Sequence, residues 1–231
     1  MLSIIVPTYN EAENLEEFIK KIKGSVNNLE YEIIIVDDNS PDGTGTIAES
    51  LRKTYHSIDI IHRSKKMGIS SAIMDGIKIA KGDIIATLNS DFQHPIEYLP
   101  KMAGKIGKFD IVIGSRYVTG GNTEGWNLWR LIASRIGIFI AYMAIPQIRQ
   151  IKDPLSGFFV LKKEIVKNIY INPSVVQKYL LEILVRDPYR KVVEVPYVFK
   201  NRRGGRSKVN FRDSFNYLRQ LFILHKKSRV I

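Results

Sequence analysis

Apolar residues along this chain switch between two rhythms. Short runs such as Leu2–Val6, Ile33–Val36, Ile84–Leu88 and Ile111–Ile113 are apolar throughout, the mark of strands buried on both faces. Between them, apolar positions recur every three or four residues, as on a helix with one buried side. The pattern predicts a helix over 11–28, where Leu15, Phe18, Ile19 and Ile22 share a side, and a strand over 31–36. It continues with a helix near 44–54, a strand over Ile58–His62, a helix over 68–81 ended by Gly82 and a strand over 84–88. Pro95 then opens a helix to about Lys108, and a strand follows over 110–113. Strand and helix in strict alternation imply an α/β fold with a doubly wound, mostly parallel sheet.

The second half changes character. Trp126–Ile145 is strongly apolar yet carries Arg130 and Arg135, with Pro146 at its end. As a helix it places Arg130 and Ser134 one turn apart on one side. Its two tryptophans suit a membrane interface, and an ordinary core helix suits it equally. Asp153–Val160 turns into another strand, and Lys191–Phe199 reads as a further one. Phe211–His225 sets Phe215, Leu218, Leu221, Phe222 and Leu224 beside Arg212 and Arg219, which fits either an interfacial helix or a terminal helix packed on the core. The division expected is a catalytic domain over 1–210 and a basic amphipathic helix over 211–231.

Each apolar run of the first half ends in a polar cluster: Pro7-Thr8-Tyr9-Asn10-Glu11, Asp37-Asp38-Asn39-Ser40, Asn89-Ser90-Asp91-Phe92-Gln93-His94 and Gly114-Ser115-Arg116-Tyr117. One such cluster reads as a turn. Four in succession read as a site, because open α/β sheets bind ligands beyond the carboxyl ends of their strands. Asn89, Asp91 and Gln93 bring side-chain oxygens together, a donor set suited to Mg²⁺ or Mn²⁺. Asp37 and Asp38 are placed to accept hydrogen bonds from a ribose or base. Arg202–Lys208 is a basic, Gly-containing segment that would serve as a lid over a diphosphate or remain a plain basic loop.

Composition narrows the chemistry. Cysteine is absent from the 231 residues, which removes disulfides, thiol nucleophiles and Cys-ligated zinc. No Walker loop, HExxH motif or Ser-His-Asp pattern is present. The opening residues show no secretory leader, and no apolar run is long enough to span a bilayer. The net charge is +12, and from Lys200 onward ten Lys or Arg face the single acid Asp213. Such a tail suits phosphates, an anionic membrane surface or nucleic acid, but it lacks any nucleic-acid-binding signature.

Six motifs in order carry a resemblance: Pro7–Glu11, Val36–Asp42, Gln93-His94-Pro95, Gly114–Tyr117, Asp153–Phe159 and Arg202–Lys208. Together they resemble the dolichyl-phosphate mannose synthases, the polyprenyl-phosphate subgroup of the family 2 inverting glycosyltransferases. The resemblance covers nearly the whole chain. It implies a GT-A fold, a nucleotide-sugar donor such as GDP-mannose, and a polyprenyl (dolichyl) phosphate acceptor. It also implies Mg²⁺ or Mn²⁺ and a peripheral position on the cytoplasmic face of a membrane. Pro7, Tyr9, Glu11, Val36 and Asp38 would hold the nucleoside. Asn89, Ser90, Asp91 and Gln93 would hold the metal and the diphosphate, with Lys178, Arg202 and Lys208 neutralising charge. Arg116, Arg130 and Ser134 would bind the acceptor phosphate, and Asp91, Arg116 and Arg202 carry the catalytic roles.

One departure stands out. The family has Asp at the first metal position, where this chain has Asn89, so one negative charge is missing. The attacking group would be a phosphate monoester with a second pKa of about 6, so no base is needed. Three other readings remain open: a UDP-glucose donor, a catalytically weak nucleotide-sugar binder, and a nucleic-acid-binding protein.

Overall fold

The computed structural model describes residues 1–167, 169, 171–173, 175–186, 190–201 and 211–228. A seven-stranded sheet forms its centre. In chain order the strands are β1 (Leu2–Thr8), β2 (Tyr31–Asp37), β3 (Ile58–His62), β4 (Ile84–Thr87), β5 (Ile111–Ser115), β7 (Phe159–Lys162) and β8 (Val192–Pro196). Their spatial order is β3-β2-β1-β4-β7-β5-β8. All neighbours run parallel except β7, which is antiparallel to both β4 and β5. A two-stranded ribbon joins β6 (Asn122–Thr123) to β9 (Val198–Phe199).

Side chains alternate across the sheet as pleating requires. Ile4, Val6, Ile33 and Ile35 enter one buried cluster, packed with Leu15, Phe18, Ile19 and Ile22 of α1 (Ala12–Ser25). That face also carries α2 (Thr44–Thr54) and α4 (Leu99–Ala103). Ile5, Ile34 and Val36 point the other way, into a cluster with α3 (Ile69–Ile79), α5 (Leu128–Ala144), α6 (Glu164–Lys167), α7 (Tyr179–Arg186) and α8 (Phe211–Ser228). With two covered faces, the strands can be apolar at every position.

Two expectations are corrected, and one helix went unforeseen. The helix expected from Pro95 to about Lys108 is a 3₁₀ turn over Ile96–Tyr98 followed by the five-residue α4, because Gly104 and the left-handed Gly107 (φ +111°) end it early. The strand expected over Lys191–Phe199 is split at Tyr197: β8 pairs with β5, and β9 leaves to pair with β6. The helix α7 was not foreseen, since residues 179–185 are buried all round and show no polar side.

The two long helices of the second half lie together. Tyr217 donates from its hydroxyl to the Gly137 carbonyl at 2.8 Å, and His225 Nδ1 lies 2.6 Å from the Ala144 carbonyl oxygen. Leu221 and Leu224 of α8 are buried, while Phe215, Leu218 and Phe222 are exposed. On α5, Trp129, Ile132, Ile136, Phe139 and Met143 form an exposed stripe at helical spacing. Among the described residues, no helix is long and apolar enough to cross a membrane.

Candidate active site

The carboxyl ends of β1, β2, β4 and β5 share one edge of the sheet, and antiparallel β7 begins there. Chain reversal at this edge is tight. Asn10, Asn39 and Phe92 have φ of 57°, 59° and 59°, and all three lie just beyond strand ends. Asn tolerates this left-handed conformation; Phe rarely adopts it unless packing holds it there. The Phe92 ring meets Phe18 edge-on at 5.2 Å, and the Lys21 ammonium lies 4.9 Å from its centre.

The reversal folds the 89–94 loop onto itself. Asp91 is buried, and its Oδ1 accepts from the Gln93 backbone N–H at 3.1 Å. Gln93 spends its side-chain N–H on the Lys200 carbonyl at 3.3 Å, and the Lys200 N–H donates back to the Gln93 carbonyl. His94 Nδ1 accepts from the Asn89 N–H at 3.2 Å. Its ring stacks on Phe158 at 5.2 Å and meets Tyr197 and Phe199 edge-on. Loss of hydration pushes the His94 pKa down to about 4, against the opposing pull of Asp91. The ring is therefore neutral, as an accepting Nδ1 requires.

Beside this loop lie the residues expected to hold a nucleoside. Pro7 and Val36 are buried in their strands, Tyr9 lies under the Lys66 ammonium at 3.7 Å, and Glu11 stands at the start of α1. Asp37 accepts from Thr8 Oγ1 (3.1 Å) and Ser40 Oγ (2.5 Å). Asp38 accepts from Arg63 at 2.6 Å through one oxygen and from the N–H groups of Met67 and Gly68 through the other. Arg63 is buried and also donates to Ser71 Oγ at 2.7 Å. Both acids thus brace loops within the protein. Arg63 was missed in the sequence, where it sits unmarked in a polar stretch twenty-five residues from its partner.

The opposite side of the site is cationic and aromatic. Arg116 forms a bidentate pair with the fully buried Asp153 at 2.8 and 2.7 Å, and Asp153 also caps the Arg116 backbone N–H. This pairing holds the guanidinium well above its ordinary value despite desolvation. Gly114 makes the approach possible, since a Cβ there would fall 2.5 Å from Phe158. Arg116 lies over Trp126 at 5.5 Å and Arg130 over the same ring at 4.1 Å. Tyr117 bonds Ser134 at 2.7 Å and receives Arg135 on its face at 4.0 Å. Two rings thereby gather Arg116 from beyond β5 with Arg130 and Ser134 of α5. Lys178 reaches solvent at the mouth of the site, but crowding protein, and then Arg116, hold its pKa below the ordinary lysine value. Arg202 and Lys208 lie outside the described residues.

Residues 3–170 match the model of glycosyl transferase family 2. The chain belongs to that family. It is similar to the dolichol-phosphate mannosyltransferase of Pyrococcus furiosus, with 46% identity over 97% of this chain and 64% of the relative. The chain thus spans less than two thirds of that relative's length. It is 32% identical to the yeast (Saccharomyces cerevisiae) protein of the same name, over 95% of this chain and 85% of that one. Among solved structures it resembles mannosyl-3-phosphoglycerate synthase from Rubrobacter xylanophilus (TM-score 0.73, 18% identity, 100% of this chain and 75% of that one). It also resembles glucosyl-3-phosphoglycerate synthase from Mycobacterium tuberculosis, solved with Mn²⁺ and UDP (TM-score 0.69, 18% identity, 99% and 79%). At such identity these structures establish the GT-A fold, as the sequence implied.

Within this family 2 chain, then, the carboxylates are spent largely on shaping loops, while the cations gather on the opposite side of the site. Among the described residues no three His, Cys, Asp or Glu side chains cluster as a metal site would have them. The Asn89–Asp91–Gln93 set offers one carboxylate and two amide oxygens. With Gln93 Nε2 engaged on Lys200, its Oε1 is the atom left for a ligand. Such hard oxygen donors fit a divalent ion of the Mg²⁺ or Mn²⁺ type, at one charge less than two carboxylates would supply.

Proposed function

We propose that this enzyme transfers a mannosyl group, with inversion, from GDP-mannose to the phosphate of a dolichyl or other polyprenyl phosphate. The reaction takes place at the cytoplasmic face of a membrane, with the protein bound peripherally. The names of the relatives support the reaction. The observation that carries it is the make-up of α5. This helix presents Arg130 and Ser134 to the Arg116 cluster, and the stripe Trp129–Ile132–Ile136–Phe139–Met143 to the outside. A ligand with an anionic head and a hydrocarbon tail matches both features at once. The exposed Phe215, Leu218 and Phe222 of α8 widen the apolar face, and Lys226 and Lys227 border it.

In the reaction, an acceptor phosphate oxygen attacks the anomeric carbon as the bond to the nucleoside diphosphate breaks, and the diphosphate leaves. The acceptor is already ionised at neutral pH, so no side chain must remove a proton. Arg116, oriented by Asp153, and Arg130 hold the acceptor in line. Lys178, with Arg202 and Lys208, offsets charge on the leaving diphosphate. Asn89, Asp91 and Gln93 would hold a divalent ion, which supplies further charge stabilisation to that group. Asn89 favours a second reading, a weak nucleotide-sugar binder, because the missing charge lowers metal affinity.

The test is transfer to a short polyprenyl phosphate from GDP-mannose and from UDP-glucose, with and without Mn²⁺. Mannosyl transfer that requires the ion is expected. Glucosyl transfer, or donor binding with no transfer to any acceptor, would overturn the assignment. A second assay measures sedimentation with anionic vesicles. Binding should weaken but persist as salt rises, because apolar burial outlasts screened charge. Replacing Leu218 and Phe222 by Asn and Ser should reduce what persists to the share of the α5 stripe.

A further inference from the structure

Helix α8 has two unlike sides. Its outer side carries the exposed Phe215, Leu218 and Phe222. Its inner side buries one polar residue completely, Gln220. That amide uses all of its principal hydrogen-bonding capacity on a single stretch of chain. Gln220 Oε1 accepts from the backbone N–H groups of Gln177 (3.0 Å) and Lys178 (2.9 Å). Gln220 Nε2 donates to the Lys178 carbonyl (3.1 Å) and to Glu182 Oε1 (3.0 Å). The backbone of Lys178 is thus gripped on both sides by a side chain forty-two residues away.

A buried glutamine with this pattern does more than fill space. An apolar residue of the same shape would pack equally well in a helix interface, and a buried amide is tolerated only when its partners are satisfied. Here every partner lies in the segment that delivers Lys178 to the mouth of the site. Ser70, at the start of α3, donates to the Gln177 carbonyl at 2.8 Å, which ties the same stretch to the loop braced by Arg63 and Asp38. The strap at 177–178 is therefore held between the nucleoside side of the site and the helix that carries the apolar face.

Building on the membrane reading above, we infer that Gln220 is a positioning residue that links seating of α8 on a lipid surface to the placement of Lys178 at the donor diphosphate. Docking restrains α8, α8 restrains the strap through Gln220, and the ammonium is fixed where the diphosphate binds. Coupling of this kind is reciprocal, so lipid should tighten nucleotide binding and nucleotide should tighten lipid binding by the same factor.

The experiment measures GDP affinity in the presence of Mn²⁺, with and without vesicles of equal parts phosphatidylcholine and phosphatidylglycerol. Vesicles should tighten GDP binding to the unaltered chain at least about fivefold, the low end of ordinary coupling. Gln220→Met keeps the volume and removes all four hydrogen bonds. It should still sediment with vesicles yet show the same GDP affinity with and without them. A second variant leaves Gln220 in place and replaces Leu218 by Asn and Phe222 by Ser on the solvent side. Its GDP affinity should stay at the vesicle-free value. Equal vesicle-induced tightening in Gln220→Met and the unaltered chain would overturn the link, as would vesicle binding by the unaltered chain without tightening. If the unaltered chain does not sediment at all, the membrane reading itself fails and the link falls with it.

Discussion

At the ends of β1, β2 and β4, the acids are held by backbone N–H groups, short hydroxyls and one buried arginine. Asp37 bonds Ser40 and Thr8, Asp91 bonds the N–H of Gln93, and Asp38 bonds Arg63 and the 67–68 backbone. At the end of β5 and in the second half, the candidate site cations are held by other charges, ring faces and a buried amide. Arg116 rests on Asp153 and Trp126, Arg130 on Trp126, and the strap of Lys178 on Gln220. Two contacts of the first kind, Ser40 to Asp37 and Gln93 to Asp91, close within three residues of chain, while Thr8, Arg63 and Gly68 reach Asp37 or Asp38 across twenty-five to thirty. Those holding Arg116 and Lys178 span thirty-seven and forty-two. Turns contribute to the acidic side, whereas the salt bridge of Arg116 and the strap of Lys178 depend on tertiary packing.

The largest expected effect lies on the acidic side. Arg63→Met would strand Asp38 without its charge partner, and breaking a buried pair costs about 3–5 kcal/mol. Denaturant unfolding should show that loss, and a loss under 1 kcal/mol would mean that the 67–68 backbone alone suffices for Asp38. Next comes Asp91→Ala, which removes the one carboxylate of the 89–93 set. Transfer should fall by about 10²–10³ in turnover, the usual loss when a preorganised charge is removed. Undiminished turnover in the presence of a chelator would sink the role of the ion.

His94 gives a smaller effect with a definite pH window. Its pKa drops from 6.5 in the unfolded chain to about 4 in the fold, so between these values only the unfolded state binds the proton. Its contribution is therefore complete above pH 6.5 and is lost as pH falls toward 4, by about 3 kcal/mol in all. His94→Phe, which preserves the stack on Phe158, should flatten that part of the stability curve. The smallest effect belongs to Arg130→Ala. Half-buried and held by a ring, Arg130 should cost about tenfold in acceptor KM, or about 1.4 kcal/mol, with GDP affinity unchanged. A loss of GDP affinity instead would move Arg130 to the other side of the site.

The same contrast explains what the chain discloses when read alone. Helix α2 and strand β3 fall on their expected residues because periodicity and turn formers act over a few positions. The clusters at 7–11, 37–40 and 89–94 were visible for that reason. Arg63, Asp153 as the brace of Arg116, and Gln220 were not, since nothing near them in sequence states their use. The reversal of β7 was hidden too. Its three apolar residues, Phe159–Leu161, look alike in either direction, and only the pairing of Thr87 with Phe159 and of Ile113 with the same residue reveals it.

That strand has a consequence for how the molecule comes into being. β4 and β5 are never neighbours; β7, made some fifty residues after β5, fills the gap between them. During synthesis, β3, β2, β1 and β4 can pair early, leaving an open edge at β4, and β5 must wait unpaired on both sides, since β8 is made later still. A chain halted before Phe159 would present raw strand edges to its neighbours, the condition under which chains aggregate. The residues just before β7, Asp153–Phe158, are those that orient Arg116 and wall His94. The step that bridges β4 and β5 is thus the same step that braces Arg116 and walls His94, and a nascent chain gains both together.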